Sequence, residues 1–242
     1  MVARTDLHDL VCAVLRGATL HAWAAAQPGA QAMQGRDTAW ATRLPNGPEV
    51  VVRHSRHGGL LAPLTRDLFL APTRAPRELE VSLRLRAVGV STPDVLAYAV
   101  YTAAGPLCRA DVVTARVHGV ALPAAWASAV DPAQRQAVAE AVGGLLSSLR
   151  DARAHHPDLN ARNVLIAPTG NGPTAWVLDV DRVQFGRSAS DAAARNAGRL
   201  AHSLAQLRDE GALDLDAAAW RQIAGRAGLA RTVGSALDGR SE

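Results

Sequence analysis

The order of hydrophobic periods along the chain constrains its fold most. "TAWATRL" alternates as a strand does, "PNGP" signals a turn, and "EVVVRH" is a β-branched run. A long basic connection, "RHSRHGGLLAPLTRDLFLAPTR", follows. Next, "APRELEVSLRLRAVGV" carries Leu79, Leu83 and Leu85 to Val88 at helical spacing, with Gly89 fitting the helix end. "PDVLAYAVYTAAGPLCRADVVTARV" reads as two strands about the turn "AAGP". From Asp131 the period becomes helical: Asp131 suits an N-cap, Pro132 the first turn, and Val138, Val142, Leu145, Leu146 and Leu149 one face. A hairpin, "NVLIAPTGNGPTAWVL", with Gly170 to Pro173 as its turn, interrupts the helical half, and residues 190–235 read as two or three more helices. Strands with one helix, then helices with one hairpin, lack the regular βα alternation of a doubly wound parallel sheet. The expected organisation is an Ala-rich segment over 1–30, irregular or helical, a strand-rich region over 31–112 and a mainly helical region over 113–242, with the boundary near Cys108 to Arg116.

All 26 basic residues are Arg, and the chain of 242 residues contains no Lys. Roles usually given to Lys must fall to Arg, whose planar fork differs from a point charge. A formal net charge of +4 is compatible with phosphate-bearing or acidic partners and with an anionic membrane surface. Cys12 and Cys108 are too few for a disulfide framework, which suggests a reducing compartment. No run is long enough to span a membrane, and the apolar run Leu10 to Leu15 is too short for a signal peptide. The expectation is a cytoplasmic protein with peripheral membrane contact. No nucleic-acid-binding motif accompanies the basic charge, so no nucleic-acid partner is expected. A zinc site on His54, His57, His155 and His156 lacks both suitable spacing and cysteine support.

The chemistry concentrates in "HHPDLNARNVLI", His155 to Ile166. By itself it could be a polar turn capping its own backbone. His156, Asp158, Leu159 and Asn163 match H-x-D-L-x-x-x-N, the catalytic-loop pattern of protein-kinase-like phosphotransferases. In that pattern the Asp accepts or orients the proton of an attacking hydroxyl, and the Asn holds Mg²⁺ on the nucleotide phosphates. Here His156 would brace the loop and Leu159 anchor it. Sixteen residues beyond Asn163, the strand in "WVLDVDR" delivers Asp179, where a second metal-binding Asp is needed. Asp181 would reinforce the metal or pair with Arg182. Upstream, "EVVVRH" offers Arg53 in place of the missing phosphate-binding Lys, with Glu78 or Glu80 as its ion-pair partner. "MQGRDTAW" occupies the place of a glycine-rich loop, making Gly35 and Arg36 candidate nucleotide contacts. A Walker A loop is excluded, because it requires Lys.

These segments together resemble the bacterial 3-deoxy-D-manno-octulosonic acid (Kdo) kinases, the lipopolysaccharide kinase family of the protein-kinase-like superfamily. "VVRHSRHGGLL" and "TRAPRELEVSLRLRAVGVSTP" are similar to that family's R-H-Y-R-R-G-G and T-R-x-x-x-E segments; "LCRADVVTARVHG" to Y-R-A-D-L-I-T; "HPDLNARNVLI" and "LDVDR" to H-x-D-L-N-x-x-N and I-D-F-D-R. The resemblance runs from about Gly35 to Arg187 in one order; Ser55 replaces an aromatic, and the glycine loop is degraded. It implies a two-lobed α+β protein-kinase-like fold: a small, mostly antiparallel N-lobe with one helix, binding nucleotide, and a larger helical C-lobe. It implies transfer of the ATP γ-phosphate, with Mg²⁺, to a hydroxyl on the Kdo sugar of Kdo-lipid A, during lipopolysaccharide inner-core biosynthesis at the cytoplasmic side of the bacterial inner membrane. Glu78 would pair with Arg53, Asp158 would be the base, and Asn163 and Asp179 the metal ligands. The basic cluster about Arg56, His57 and Arg74 could hold the anionic glycolipid or lipid headgroups. The alternatives are another acceptor (a different core sugar, an aminoglycoside or a protein Ser) and a kinase-like binding protein without activity.

Overall fold

The computed structural model describes the chain except residues 34–38, 46, 56–66, 72, 187, 215–218, 222 and 224–242. The chain forms two compact units, residues 1–83 with 93–116 and residues 84–92 with 117–242.

The first unit is built on one antiparallel sheet. Its strands are β1 (Val2–Ala3), β2 (Gln31–Met33), β3 (Ala39–Arg43), β4 (Glu49–His54), β5 (Phe69–Leu70), β6 (Val95–Ala104) and β7 (Leu107–Ala115). They run in the order β1-β6-β7-β4-β3-β2, and β5 also pairs with β7. The turns fall where the sequence places them: Gly47 donates its N–H to the Leu44 carbonyl before β4, and Gly105 takes a φ of +55° between β6 and β7. Helices α1 (His8–Leu15), α2 (Leu20–Ala25) and α3 (Ala75–Ala87) complete the unit's elements, α3 running on into the second unit.

Strand alternation assigns each side chain of this unit to a face. Val50 and Val52 of β4 pack with Leu7, Val11, Leu20 and Ala24 from the N-terminal helices and with Val113 of β7. Ala110 and Val112 point the other way, toward Ala75 and Leu79 of α3. The first 30 residues are therefore part of the core, and Val2 and Ala3 add an edge strand to β6. Their small apolar residues conceal this in a one-dimensional reading. The apolar face of α3 also differs from expectation. Val81 and Leu85 are buried, together with the polar Glu78 and Ser82, whereas Leu83 and Val88 are 54% and 56% exposed. Gly89 ends the helix region with a φ of +82°.

The same alternation separates two neighbours on β4. Arg53 shares the face of α3, whereas His54 shares the face of Val50, Val52 and α2. His54 Nδ1 lies 2.5 Å from Asp111 Oδ1 across the β4–β7 pair, and its Nε2 lies 3.2 Å from Asp67 Oδ2. Asp111 is fully buried, and its Oδ2 accepts from the His21 N–H and the Tyr101 hydroxyl. Arg109 Nε donates to Asp67 over 2.6 Å. The sequence grouped His54 with a basic loop; it is instead a strand residue held between two carboxylates. Its hydrogen bond to Asp111 raises its pKa against the opposing effect of burial. This stabilisation is fully present below the unfolded value of about 6.5 and is lost as pH rises through the folded value. Thermal melts from pH 6 to 9 should show a falling midpoint, and His54→Gln should flatten that fall; parallel curves for the two proteins would contradict the assignment.

The second unit is mainly helical, with α4 (Leu122–Ser128), α5 (Pro132–Asp151) and α6 (Ala189–Asp209). Asp131 caps α5 by accepting from the Gln134 N–H, and Val138, Val142, Leu145, Leu146 and Leu149 form its buried face, as expected. The hairpin of β10 (Val164–Thr169) and β11 (Gly172–Val177) carries β8 (Val120–Ala121) on its β10 edge. Strands β9 (Ala154–His155) and β12 (Gln184–Phe185) pair separately. Helix α4, which the sequence reading missed, is an Ala-rich piece too short for a clear period. Most of the helical tail expected beyond α6 lies outside the described residues.

Candidate functional site

In the second unit two short segments, 156–163 and 178–183, are clasped at both ends. At one end β9 pairs with β12, His155 facing Gln184. At the other, the Leu178 N–H donates to the Asn163 carbonyl over 2.9 Å, continuing the β10–β11 register by one residue. Asn163 and Asp179, sixteen residues apart in the chain, thus emerge at the same end of the hairpin.

His156 joins the two segments through its ring. It is fully buried; Nε2 lies 2.9 Å from the Leu178 carbonyl, and Nδ1 accepts the Asp158 N–H over 3.2 Å. One donor and one acceptor define a neutral imidazole with its proton on Nε2. Burial also lowers its pKa, outweighing the backbone carbonyl and the nearby carboxylates. Its backbone N–H donates to Asn196 Oδ1 over 2.9 Å, and Asn196 Nδ2 donates to the Ala154 carbonyl over 2.8 Å.

The loop is rigid for local reasons. Asn160 caps the 3₁₀ turn Ala161–Asn163, accepting from the N–H groups of Arg162 and Asn163. The side-chain nitrogens of Asn160 and Asn163 both donate to the Asp158 carbonyl, over 3.1 and 3.0 Å. Leu159 and Ala161 are fully buried and anchor the loop from below. Asp179 sits in the left-handed region at φ 54° and ψ 49°, a conformation that Asp tolerates better than most residues. Val180 and Val183 on either side of the following 3₁₀ turn are buried. The carboxylate of Asp158 remains accessible. Arg182 Nη1 pairs with its Oδ2, and Arg199 Nη2 stands 3.9 Å from its Oδ1. Arg182 therefore reaches back to Asp158, where the sequence suggested Asp181 as its partner.

Three residues of α6 that the sequence reading did not single out touch this loop. Asn196 holds residues 154 and 156, Arg199 approaches Asp158, and Ser203 Oγ accepts the Ala161 N–H over 3.1 Å. Their spacing of three and four residues makes one helical stripe. The available signal was Asn196 itself, a polar residue on an otherwise apolar face with Ala192, Ala193, Ala197 and Leu200.

In the first unit, Arg53 pairs with the buried Glu78, so the choice between Glu78 and Glu80 falls on Glu78. Arg74 is exposed just before α3. Gly35, Arg36, Arg56 and His57 lie outside the described residues.

The chain matches the "Lipopolysaccharide kinase (Kdo/WaaP) family" over residues 21–224. It belongs to that family. The 3-deoxy-D-manno-octulosonic acid kinase of Stenotrophomonas maltophilia (strain R551-3) is 34% identical over 180 residues, which is 73% of this chain and 69% of that protein. The enzyme of the same description from Xylella fastidiosa (strain M12) is 31% identical over 184 residues, 74% of this chain and 71% of the relative. The solved structure described as "WaaP in complex with acyl carrier protein" has a TM-score of 0.59 at 17% identity, covering 94% of this chain and 88% of that one. The Kdo/WaaP match accounts for the kinase-like α+β fold, and it makes the chain an ATP-dependent kinase acting on a sugar hydroxyl. The residues present suit the metal chemistry of such a family. The Asn163 amide nitrogen is spent on the Asp158 carbonyl, which leaves its oxygen as the donor atom, and Asp179 offers a carboxylate. Such hard oxygen donors are the kind that would hold a divalent cation.

Asn196→Ala should strand the His156 N–H and the Ala154 carbonyl in the interior. Equilibrium unfolding should show a loss of roughly 2–4 kcal/mol. Asn196→Asp keeps the acceptor but can donate to the Ala154 carbonyl only when protonated, so its loss should grow as pH rises; a pH-independent loss would mean that residue 196 does not bridge the two groups.

Proposed function

We propose that this lipopolysaccharide kinase phosphorylates a hydroxyl of the Kdo sugar of Kdo-lipid A, with Asp158 as the residue that receives or orients the hydroxyl proton. One observation carries the reading: Asp158, Asn163 and Asp179 converge on the clasped segments, and a buried neutral His156 sets their spacing. ATP with Mg²⁺ would supply the transferable phosphoryl group and neutralise its charge. Asn163 and Asp179 would hold the ion. Asp158 would align the acceptor hydroxyl, its backbone fixed by three hydrogen bonds, from its own N–H to His156 and from the side chains of Asn160 and Asn163 to its carbonyl, while the Leu159 N–H donates to the His156 carbonyl around it. Arg53, steered by Glu78, would bind nucleotide phosphate as the missing Lys would, with a planar fork in place of a point charge.

The acceptor is an anionic membrane lipid, so the reading includes peripheral contact with the cytoplasmic face of the inner membrane. It is supported by a sequence pI near 10.0 and by the lack, among the described residues, of a helix long and apolar enough to cross a membrane. Arg74 and the cluster about Arg56 and His57 are its candidate contacts.

Phosphate transfer from labelled ATP to Kdo-lipid A tests the reading directly. Asp158→Asn should cut turnover roughly a hundredfold or more while leaving nucleotide binding in place; retained turnover would remove Asp158 from this role. Asp179→Ala should weaken binding of Mg²⁺–ATP, and an unchanged titration would count against its ligand role.

A further inference from the structure

Asp158 shares its surroundings with two cations that the reaction outlined above does not use. Arg182 Nη1 pairs with Oδ2 of its carboxylate, and Arg199 Nη2 stands 3.9 Å from Oδ1, so two guanidinium groups converge on one carboxylate from two directions. Neither is a loose surface side chain by position. Arg182 ends the 3₁₀ turn Val180–Arg182, held between the buried Val180 and Val183. Arg199 lies on the α6 stripe whose other members, Asn196 and Ser203, are hydrogen-bonded to the loop on either side of Asp158. The three side chains are nonetheless open to solvent, with exposures of 53% for Arg182, 51% for Arg199 and 42% for Asp158. Ion pairs so exposed add little to stability. Stability alone therefore gives no reason to aim two arginines at this carboxylate.

The arrangement also obstructs the role assigned to Asp158. A carboxylate whose oxygens face two arginines has less room for a hydroxyl. Arginine cannot shed its charge at any ordinary pH, so deprotonation cannot release the pair. A competing anion can, and at little cost, because the pair is exposed. A neutral sugar brings none, whereas a sugar acid brings a carboxylate of the same size and charge as the one it would replace.

We propose that Arg182 and Arg199 form the subsite for the carboxylate of the sugar-acid acceptor, which becomes their counter-ion and frees Asp158 to face the acceptor hydroxyl. The inference rests on the acceptor class proposed above and assigns that class its specificity-determining residues. Acid sugars then gain twice, through their own ion pair and through release of Asp158. Neutral sugars of similar shape leave the resting pair in place.

Steady-state kinetics of the full chain on Kdo-lipid A, on its carboxyl-reduced analogue and on its dephosphorylated analogue test this. Wild-type protein should lose roughly ten- to a hundredfold in kcat/KM when the sugar carboxyl is reduced. Arg182→Ala and Arg199→Ala should lose a comparable factor on the acid acceptor and little more on the reduced one. Arg182→Lys should recover only part of the loss. The KM for Mg²⁺–ATP should stay near the wild-type value in each variant, which a general loosening of the loop would not allow. Equal losses by a variant on acid and reduced acceptors overturn the proposal, as does a wild type indifferent to carboxyl reduction. If the variant effect disappears on the dephosphorylated acceptor instead, the arginines read phosphate and the carboxylate assignment is wrong. Should a variant fail to fold, the wild-type comparison of acid and reduced acceptors still decides. Turnover of no acceptor by the wild type overturns the acceptor reading itself, and the subsite with it.

Discussion

The arrangement of the second unit depends on one buried imidazole. His156 donates to the Leu178 carbonyl and accepts from the Asp158 N–H, so a single ring spans the two segments that carry the polar residues. Only the neutral form can do both. A protonated ring has two donors and would turn one of them against the Asp158 N–H. Burial enforces neutrality, and the low dielectric that makes the ring neutral also strengthens the two hydrogen bonds it makes. Asn196 completes the device from outside the motif, since an amide offers one acceptor to the His156 N–H and one donor to the Ala154 carbonyl. Position and protonation state of this site are consequently one property.

The two units use opposite histidine chemistry. His54 lies between Asp111 and Asp67 and is favoured as a cation; His156 lies between a carbonyl and an N–H and is favoured as a neutral group. The difference is one of partners and of depth: the bond to Asp111 outweighs burial at the partly exposed His54, whereas full burial outweighs the nearby carboxylates at His156. His54 stitches β4 to β7 and, through Asp111, reaches the first turn of α2. Its cationic form makes a contact that weakens in alkali, whereas the neutral form of His156 makes one that weakens in acid. The fold is thus held in register over an intermediate pH range by histidines that fail in opposite directions.

Much of this was legible in the sequence, and the parts that were not share a cause. The strand pairs β3–β4 and β6–β7, the hairpin β10–β11 and the capped helix α5 follow from alternation, turn residues and an Asp-Pro start, all of which are local signals. The Arg53–Glu78 pair follows from alternation too, since Val50 and Val52 on one face leave Arg53 on the other. Asn163 and Asp179 could be expected together because a hairpin separates them. Asn196, Arg199 and Ser203 could not, since nothing local says which face of an Ala-rich helix will meet a loop some 40 residues earlier in the chain. The same holds for Asp67 and Asp111, which meet His54 only through tertiary structure. The N-terminal 30 residues, expected as irregular or helical, do form helices, but Leu7, Val11, Leu20 and Ala24 are too few and too small to announce a core face in the sequence; the sheet supplies the other half.

The absence of lysine sharpens what the arginines can do. A lysine at position 53 could lose its proton when buried beside an apolar strand; arginine keeps its charge, and the structure sets the buried Glu78 against it. At Asp158 the same permanence acts in reverse. An arginine there cannot be switched off by proton transfer, so a competing anion is what takes it from Asp158. Composition therefore leaves a chemical signature: at Asp158, where both facing cations are arginines, the carboxylate is controlled by exchange of counter-ions and not by titration of cations. In such a chain the ligand's own charge becomes part of how the site is opened.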